Sequence, residues 1–361
     1  MGEELAESCF DQAVLGKRVP RSGGFPTAGA PTSFRRWLLI TGATGKVGRH
    51  FLETARQDSE LGGFRFRALC HNRVIPAMDR MEVVRGSISN REFVRTAMQD
   101  VTHVLHLATC KETPEDVMDV TMKRFFWLLE EARDSESFQQ FILIGGDACV
   151  GHFYYPHEQP VTEDQPYSPY PGCYAPSKVM EEQMLEQYYR PYDLNGCCLR
   201  APWIMEKDDF KYQLSFGPDV FGGPVWSEYV DAVTAQRYAE TSTVPIMLDP
   251  SGQPVRRNFV HVRDLVKAIV TAIDHPKARQ QLFLIAMDRP SDYRELGDYL
   301  QETRGLPSAD ISTRYHLTRM VNSKARELLG WRPDFDMKRM AAEAFDYQRA
   351  ADDSRVVYYP G

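Results

Sequence analysis

The sequence predicts an α/β fold built on a doubly wound parallel sheet, and three observations support this prediction. Short apolar runs, such as 37–40 and 141–144, have the length and composition of strands that are buried on both faces. Segments with helical periodicity separate most of these runs, as βαβ units require. A glycine-rich stretch, TGATGKVG at 41–48, follows the first run and opens the first helix.

The elements alternate regularly over the first half of the chain. Short apolar runs predict strands in WLLI, RFRALC, MEVVRG, VTHVLHLA, FILIG and NGCCLR. Apolar residues that recur at helical spacing predict helices in GRHFLETARQ, NREFVRTAMQD, EDVMDVTMKRFFWLLEEARD and YAPSKVMEEQMLEQYYR. Strands and helices in this order give a Rossmann-type sheet that helices cover on both faces.

The alternation weakens in the second half of the chain. The stretch 201–258 is rich in aromatic residues, proline and glycine, so we expect it to be mostly loop. NFVHVRDLVKAIVTAIDHP then predicts a strand and a helix, QLFLIA predicts a strand, and two helices follow in the tail. We therefore expect a smaller, loop-rich C-terminal region beside the sheet.

Composition and charge argue against several classes of function. The 361-residue chain is 43% apolar and carries a formal net charge of −7, which disfavours nucleic acid or an anionic membrane as the main partner. Seven cysteines form no CxxC pair and nine histidines no HExxH motif, so we expect neither a disulfide framework nor a metal site. No apolar run approaches the roughly 20 residues of a membrane span. With no secretory pattern at the N-terminus, we expect a cytoplasmic protein.

The glycine-rich stretch has the spacing of a dinucleotide-binding turn. Gly42, Gly45 and Gly48 lie between a strand and a helix, where glycine permits a tight turn and a close approach of pyrophosphate to the helix N-terminus. Thr44, Lys46 and Val47 complete this expected cofactor-binding turn.

The residues after the second strand bear on the choice of cofactor. About 20 residues beyond the glycines a dinucleotide site usually has an acid for the ribose, but this chain has LCHNR at 69–73. His71 and Arg73 are expected to meet a 2′-phosphate, with Lys46 nearby, which favours NADP(H). The alternative is that Arg73 is a solvated loop charge and the cofactor is NAD.

A tyrosine and a lysine four residues apart suggest proton chemistry. Tyr174 and Lys178 are expected to share one helix face. A neighbouring ammonium stabilises a phenolate, so Tyr174 is expected to exchange a proton with a substrate alcohol or carbonyl. Glu181 and Glu182, further along this helix, are expected to lie on a solvated face.

Several motifs together resemble a known family. TGATGKVG, the HLA of HVLHLAT, YAPSK, RRNFVHVRDL and SKARELLGW have the order and spacing of the extended short-chain dehydrogenase/reductase family, particularly its sugar-nucleotide epimerase/dehydratase branch. The resemblance extends over about residues 36–350. We expect a dinucleotide-binding Rossmann domain at 35–200 and a mainly substrate-binding region at 201–361, from which 255–288 returns to the Rossmann domain. Residues 1–34, which are rich in glycine, proline and serine near their end, are expected to form a flexible arm.

The resemblance also implies roles for individual residues. Tyr174 would be the acid/base, and Lys178 would bind the nicotinamide ribose. The other expected cofactor contacts are Ser87 and Ile88 beside the adenine, and Leu107, Ala108, Thr109, Pro202 and Ile204 beside the nicotinamide. The expected substrate contacts are Thr109, Gly146, Asp147, Tyr154 and Arg257, the last through the phosphates of a nucleotide sugar.

The chain departs from the family pattern at three positions. Gly145-Gly146 stands where the family has Ser-Ser or Ser-Thr, so the usual active-site hydroxyl is missing and the member is atypical. Thr121 replaces an expected asparagine, and Ser87 an expected aspartate. Asp147 is the candidate that takes over part of the catalytic role, because a carboxylate accepts a hydrogen bond from a substrate hydroxyl. The alternative is that Asp147 only completes a turn.

The sequence therefore predicts an NAD(P)-dependent oxidoreductase or epimerase that transfers a hydride at a secondary alcohol or ketone. Its expected substrate is an anionic, sugar-like small molecule: a sugar, sugar acid or nucleotide sugar. Two alternatives stay open: a carbonyl reductase of specialised metabolism acting on a less polar ketone, and a non-catalytic NAD(P)-binding sensor or interaction protein. The resemblance further implies a homodimer that pairs through 115–133 and 174–190.

Overall fold

The computed structural model of the protein describes residues 36–73, 75–110, 113–217, 224–351 and 353. The N-terminal arm expected at 1–34 lies outside the described residues. The strands are β1 (Arg36–Thr41), β2 (Phe64–Cys70), β3 (Met81–Arg85), β4 (His103–His106), β5 (Gln140–Gly146), β6 (Gly196–Ala201), β7 (Trp203–Met205), β8 (Val244–Leu248), β9 (Arg256–Arg257), β10 (Phe259–His261), β11 (Gln281–Leu284), β12 (Ser291–Asp292) and β13 (Ser308–Ser312).

Helices occupy most of the connections between these strands. They are α1 (Lys46–Gln57), α2 (Arg91–Ala97), α3 (Pro114–Asp116), α4 (Lys123–Asp134), α5 (Tyr174–Gln187), α6 (Tyr189–Tyr192), α7 (Asp209–Gln213), α8 (Ala232–Glu240), α9 (Val262–Ala272), α10 (Tyr293–Arg304), α11 (Ser323–Leu328) and α12 (Met337–Asp346). A π-helical turn, Val117–Met122, joins α3 to α4. Short 3₁₀ turns lie at Glu60–Gly63, Asp147–Val150, Trp226–Glu228 and Pro276–Ala278.

Seven strands form the central parallel sheet in the order β11-β6-β5-β4-β1-β2-β3. The order reverses direction at β1, and such a switch point opens a crevice at the carboxyl ends of the strands. Strands β4, β5 and β6 are buried along their whole length, as their apolar runs predict. The predicted Rossmann-type fold is therefore confirmed.

Two apolar layers hold the sheet between helices. On one face, Phe51 of α1 and Ile269 of α9 belong to the same buried cluster as Ile40 of β1. On the other face, Phe125 of α4 and Leu185 of α5 pack in a cluster with strand residues of the sheet. Residues at the carboxyl ends of β1, β4, β5 and β6 line one cavity, and the candidate site lies there.

The second half of the chain has more regular structure than its composition predicts. The stretch 201–258, expected to be mostly loop, contains β7, α7, α8 and β8. Three two-stranded sheets form there: β7 with β10, β8 with β13, and β9 with β12. Their side chains share a separate apolar cluster around Trp226 and Phe259. The domain boundaries inferred from the sequence stay a prediction.

Among the described residues, we find no helix that combines the length and apolar character needed to cross a membrane.

Candidate active site

The glycine-rich turn joins β1 to α1 and packs directly on the end of β4. Gly42 has a φ of +68°, which side chains rarely adopt, and a Cβ there would lie 2.9 Å from the backbone nitrogen of Ala108. The backbone N–H of Gly45 donates to the Gly42 carbonyl at 2.9 Å and closes the turn. The backbone is thus bare where a bound phosphate would approach.

The N-terminus of α1 is suited to an anion. Gly45 provides no side-chain cap, and no acidic residue lies in the first turn. Its backbone N–H groups and the helix dipole therefore favour a negatively charged group. Together with the bare turn, this fits the pyrophosphate of a dinucleotide.

A cavity of about 400 Å³ extends from this turn to α5. It brings together most of the residues that the sequence suggested for the site. Those that line it are Gly42, Thr44, Gly45, Lys46, Val47, Gly48, Arg73, Leu107, Ala108, Thr109, Gly146, Asp147, Tyr174, Lys178, Pro202 and Ile204.

Five suggested residues do not line this cavity. His71 is exposed and Ser87 half-buried, whereas Ile88 lies in the apolar layer under α4. Tyr154 stacks on Tyr170, which does line the cavity, with ring centroids 4.7 Å apart. The fifth, Arg257, is completely buried.

The cavity also has charged and aromatic residues that the sequence did not single out. Arg124 lines it and donates from Nε to the Ser89 hydroxyl at 2.8 Å and from Nη2 to the Ser87 hydroxyl at 3.4 Å. Tyr170 and Trp203 also line the cavity, and Tyr170 packs in a small apolar cluster with Tyr174. The periodic pattern could not reveal Arg124, because its position depends on how α4 crosses the end of β3.

Lys46 lines the cavity, but its ammonium is paired within the protein. Its Nζ atom donates to the Ile204 carbonyl at 2.8 Å and lies 2.5 Å from Asp209 Oδ2. This ion pair links the glycine-rich turn to α7. Arg73, just after the end of β2, is exposed, whereas Lys46 is half-buried.

Tyr174 and Lys178 lie on one face of α5, as their spacing predicted. Tyr174 is the first residue of the helix, and the Lys178 ammonium lies 5.8 Å from the centre of its ring. Lys178 is only 4% exposed, and its Nζ atom also lies 3.4 Å from the Ile144 carbonyl oxygen.

The prediction that Glu181 and Glu182 form a solvated face is wrong. Glu181 is fully buried and contacts Lys178, while Glu182 is 4% exposed. Glu182 accepts two hydrogen bonds from the Arg200 guanidinium, at 3.1 Å and 2.6 Å. Helix α5 lies against the sheet, so these positions, three and four residues after Lys178, face strands and not water.

The two glycines at the end of β5 differ in the space around them. A Cβ on Gly145 would lie 2.5 Å from Glu182 Oε1 and 2.7 Å from Cys198 Sγ, so no side chain fits there. A Cβ on Gly146 would lie at ordinary contact distance, 3.6 Å, from both the Tyr174 hydroxyl and Lys178 Cγ. Gly146 thus leaves room for one side chain directly beside Tyr174.

Asp147 follows Gly146 and is held by a histidine. Its Oδ2 atom contacts Nδ1 of His152, and both side chains are buried. Burial lowers the pKa of His152 to about 4, although the charge of Asp147 opposes this shift. The imidazole is therefore neutral near pH 7, and its Nδ1 atom faces the carboxylate. His152 has a φ of +46°, a conformation that costs about 1–3 kcal/mol in a non-glycine residue.

Arg257 is enclosed by aromatic rings. Its guanidinium carbon lies 4.2 Å from the ring centre of Phe153 and 4.7 Å from that of Trp203. None of its three side-chain nitrogens forms a hydrogen bond of good geometry with the described residues, although the Tyr293 phenol lies close enough to interact with the guanidinium. Its charge still acts on the phenol of Tyr293, whose pKa burial raises and Arg257 lowers. Trp203 lies both at the cavity wall and over this guanidinium.

Three features define the class as nicotinamide-dependent enzymes of the short-chain dehydrogenase/reductase type. They are the strand order, the glycine-rich turn and the Tyr-x-x-x-Lys helix that lies beside the same cavity. The chain belongs to the NAD dependent epimerase/dehydratase family, whose model matches residues 38–286. It is thus an NAD(P)-dependent enzyme of the extended short-chain dehydrogenase type.

Individual relatives are distant from this chain. UDP-glucose 4-epimerase of Streptococcus mutans is 22% identical over 343 residues, which cover 88% of this chain and 99% of that protein. A short-chain dehydrogenase/reductase superfamily protein from Agrobacterium tumefaciens, solved with bound NAD, has a TM-score of 0.71 and 24% identity, covering 86% of this chain and 96% of that one. UDP-glucuronic acid 4-epimerase from Bacillus cereus, solved with NAD, has a TM-score of 0.66 and 17% identity, covering 86% and 98%. The two structures share the fold.

Proposed function

We propose that the protein is an NAD(P)-dependent epimerase or oxidoreductase that acts at a secondary alcohol or ketone of a nucleotide sugar. The observation that carries this proposal is that Tyr174 and Lys178 share one cavity with the glycine-rich turn. A nicotinamide cofactor bound there supplies the capacity to accept and return a hydride. The protein's own side chains bind and orient the substrate and transfer the proton.

Tyr174 is the proposed acid/base. Its hydroxyl lies beside the open space at Gly146, where a substrate hydroxyl can approach it. Asp147 is the proposed orienting group, since its carboxylate lines the same cavity and accepts hydrogen bonds. A neutral His152 contacts one carboxylate oxygen, and no Lys or Arg among the described residues forms an ion pair with Asp147.

Arg257 supports an anionic substrate. Burying a guanidinium without a hydrogen-bonded anion is costly, and none of its nitrogens is satisfied among the described residues. A diphosphate would provide the missing acceptors, provided that Trp203 moves off the guanidinium. Relatives named as UDP-glucose and UDP-glucuronic acid 4-epimerases agree with such a substrate.

The proposed function is tested with the purified protein, UDP-glucose or UDP-glucuronic acid, and catalytic amounts of NAD⁺ or NADP⁺. Formation of the C4 epimer without net reduction of the cofactor is the expected result. Stoichiometric production of reduced cofactor would instead indicate a dehydrogenase. Absence of turnover with both sugars and both cofactors would contradict the proposed substrate class.

A second candidate is a carbonyl reductase acting on a less polar ketone. Tyr170 and Trp203 give the cavity two aromatic walls, and Trp203 separates Arg257 from it. An aromatic ketone consumed together with NADPH, while UDP-sugars give no product, would favour this alternative.

We further propose that the cofactor is NADP(H). Arg73 lines the cavity just beyond β2, where an NAD site usually has an acid, and no acid lies at 69–73. Arg124 adds a second cation to the cavity lining. The two solved relatives described above hold NAD, so the preference is a property of this chain to be measured.

Replacing Arg73 by serine is expected to weaken NADP⁺ binding by about 10- to 100-fold, because a hydrogen bond to a charged group contributes about 1.5–3 kcal/mol. Binding of NAD⁺, which lacks the 2′-phosphate, should change little. Calorimetric titration with both cofactors measures the ratio of the NADP⁺ and NAD⁺ dissociation constants. Arg85→Ser, which removes the same charge from an exposed position outside the cavity, is the matched control. Tighter binding of NAD⁺ by the unmodified protein would contradict the preference.

We also propose that the protein forms a homodimer through α4 and α5. Phe126 on α4 and Met180 on α5 are large apolar residues that are 39% and 45% exposed, and Met118 in the preceding π-helical turn is 57% exposed. Phe126→Glu combined with Met180→Glu is expected to give a monomer in light scattering coupled to gel filtration. Val233→Glu, on α8 and 79% exposed, should leave the mass unchanged. A monomeric unmodified protein would refute the proposal.

A further inference from the structure

A buried acid lies directly against the lysine of the candidate site. Glu181, one helical turn after Lys178, is fully buried, and its Oε2 atom lies 2.8 Å from the Lys178 ammonium. The lysine is itself 4% exposed. An ion pair so well shielded from water is much stronger than one at the surface.

The other oxygen of this carboxylate faces a histidine on β4. Nε2 of His106 lies 3.6 Å from Glu181 Oε1. Nδ1 of His106 lies 3.0 Å from the Thr41 hydroxyl, which already accepts from the backbone N–H groups of Leu107 and Ala108. The Thr41 hydroxyl must therefore donate its own proton to Nδ1, so a neutral His106 carries its proton on Nε2, toward Glu181.

These groups lie in a row from the glycine-rich turn to α5, and the widest separation between them is the 3.6 Å from His106 to Glu181. Thr41 is the last residue of β1, immediately before Gly42, and Lys178 lines the cavity. Glu181 stands between them and contacts both His106 and Lys178. Among the described residues, Glu181 is the one carboxylate that forms an ion pair with Lys178, while Glu182 pairs with Arg200.

The charges of Glu181 and Lys178 stabilise each other. Burial is the largest single influence and lowers the pKa of Lys178, but the interactions with Glu181, Tyr174 and Cys198 together outweigh it, so the pKa lies above its ordinary value. Burial alone would raise the pKa of Glu181, but Lys178 and His106 outweigh it, so that pKa is lowered. Both groups are therefore ionised around neutral pH.

Other ionisable groups surround this pair without replacing Glu181. Cys198, on β6, is the remaining group that acts on Lys178 besides Glu181 and Tyr174, and burial raises the pKa of its thiol well above the ordinary value. The elements packed against α5 carry further titratable groups: Asp119, Lys123, Arg124, Glu130, Glu131, Arg133, Asp134, Asp147, Cys149, Tyr189, Arg190, Tyr192, Cys197 and Arg200. His106, on β4, faces Glu181.

We propose that Glu181 is a positioning residue that keeps Lys178 protonated and thereby sets the pH at which the Tyr174–Lys178 couple loses its first proton. Without Glu181, Tyr174 and Cys198 are the groups left that act on the buried ammonium, and the Tyr174 phenol is the one that belongs to the couple. The couple then favours either a phenolate beside the ammonium or a neutral amine beside the phenol. Each of these two states has one proton fewer than the phenol–ammonium state. The first deprotonation of the couple therefore moves to lower pH, whether the phenol or the ammonium releases the proton.

This inference deepens the proposed function, on which it rests for the role of Tyr174 and Lys178 in proton transfer. Its test does not require turnover. Protein labelled with ¹³C at tyrosine Cζ and lysine Cε is titrated by NMR, and the two resonances are assigned with Tyr174→Phe and Lys178→Met. The experiment therefore remains decisive even if no UDP-sugar is a substrate.

Glu181→Gln is expected to lower the midpoint of the first titration of the couple by at least about one pH unit, a tenfold change in proton affinity. Glu186→Gln, the same substitution at an exposed position of α5, should leave it unchanged. If Glu181→Gln does not fold, Glu181→Asp, which withdraws the carboxylate by one methylene, should shift the midpoint less and in the same direction. A folded variant with an unchanged midpoint would overturn the proposal.

Discussion

Replacing Tyr174 by phenylalanine is expected to lower kcat by about 10²–10⁴-fold, the usual contribution of a positioned acid/base. The substitution removes one hydroxyl and keeps the ring, so the packing at the start of α5 should survive. The glycine-rich turn and Lys178 remain in place. Cofactor affinity should therefore change little while the chemical step is nearly lost.

The measurement pairs steady-state turnover with a calorimetric titration of the cofactor. Tyr170→Phe is the matched control, because Tyr170 is a second phenol that lines the same cavity. We expect it to retain most of the activity. Undiminished turnover of Tyr174→Phe with every accepted substrate would show that another group transfers the proton, and Asp147 would be the first to test.

The alternation of strands and helices was predictable because each strand of the central sheet is a local apolar run. FILIGG, for example, became β5, a strand buried along its whole length. The turn at 41–48 was also local, since the glycine spacing is itself the feature that permits the turn. The relation of Tyr174 to Lys178 followed from helical geometry alone.

Features that depend on distant residues were not predictable. Glu181 and Glu182 look like a solvated acidic pair in the sequence, yet their partners include His106 and Arg200, which come from β4 and β6. Lys46 similarly pairs with Asp209, 163 residues away. Strand β8 was missed because it contains Pro245, which lacks a backbone donor and argues against a strand.

The two glycines, Gly145 and Gly146, illustrate both what the sequence could predict and what it could not. Their identity marks a departure from the family pattern, but only the tertiary structure distinguishes them. Gly145 is required by the Glu182 carboxylate and Cys198 Sγ, which occupy the space of a side chain. Gly146 is not required by anything around it: its φ of −143° suits any residue, and a Cβ there meets only ordinary contacts.

Gly146→Ser is therefore expected to fold normally and to raise kcat. The new Cβ would lie 3.6 Å from the Tyr174 hydroxyl, so its Oγ would reach the space where a reacting oxygen meets that phenol. Losing one donor to a developing oxyanion costs about 10²–10³-fold in kcat, which bounds the gain from above. Steady-state kinetics with the best substrate found for the unmodified protein measures it.

Gly146→Ala is the control that distinguishes the effect of the serine hydroxyl from the effect of filling the space beside Gly146. It adds the same Cβ without a donor, so we expect no gain in kcat from it if a missing hydroxyl limits the reaction. An equal loss of kcat/KM in both variants would contradict that idea, because it would mean that the substrate itself fills the space beside Gly146. In that case a hydroxyl or substituent of the substrate takes the place of the family's serine, and Asp147 is the side chain positioned to hold it.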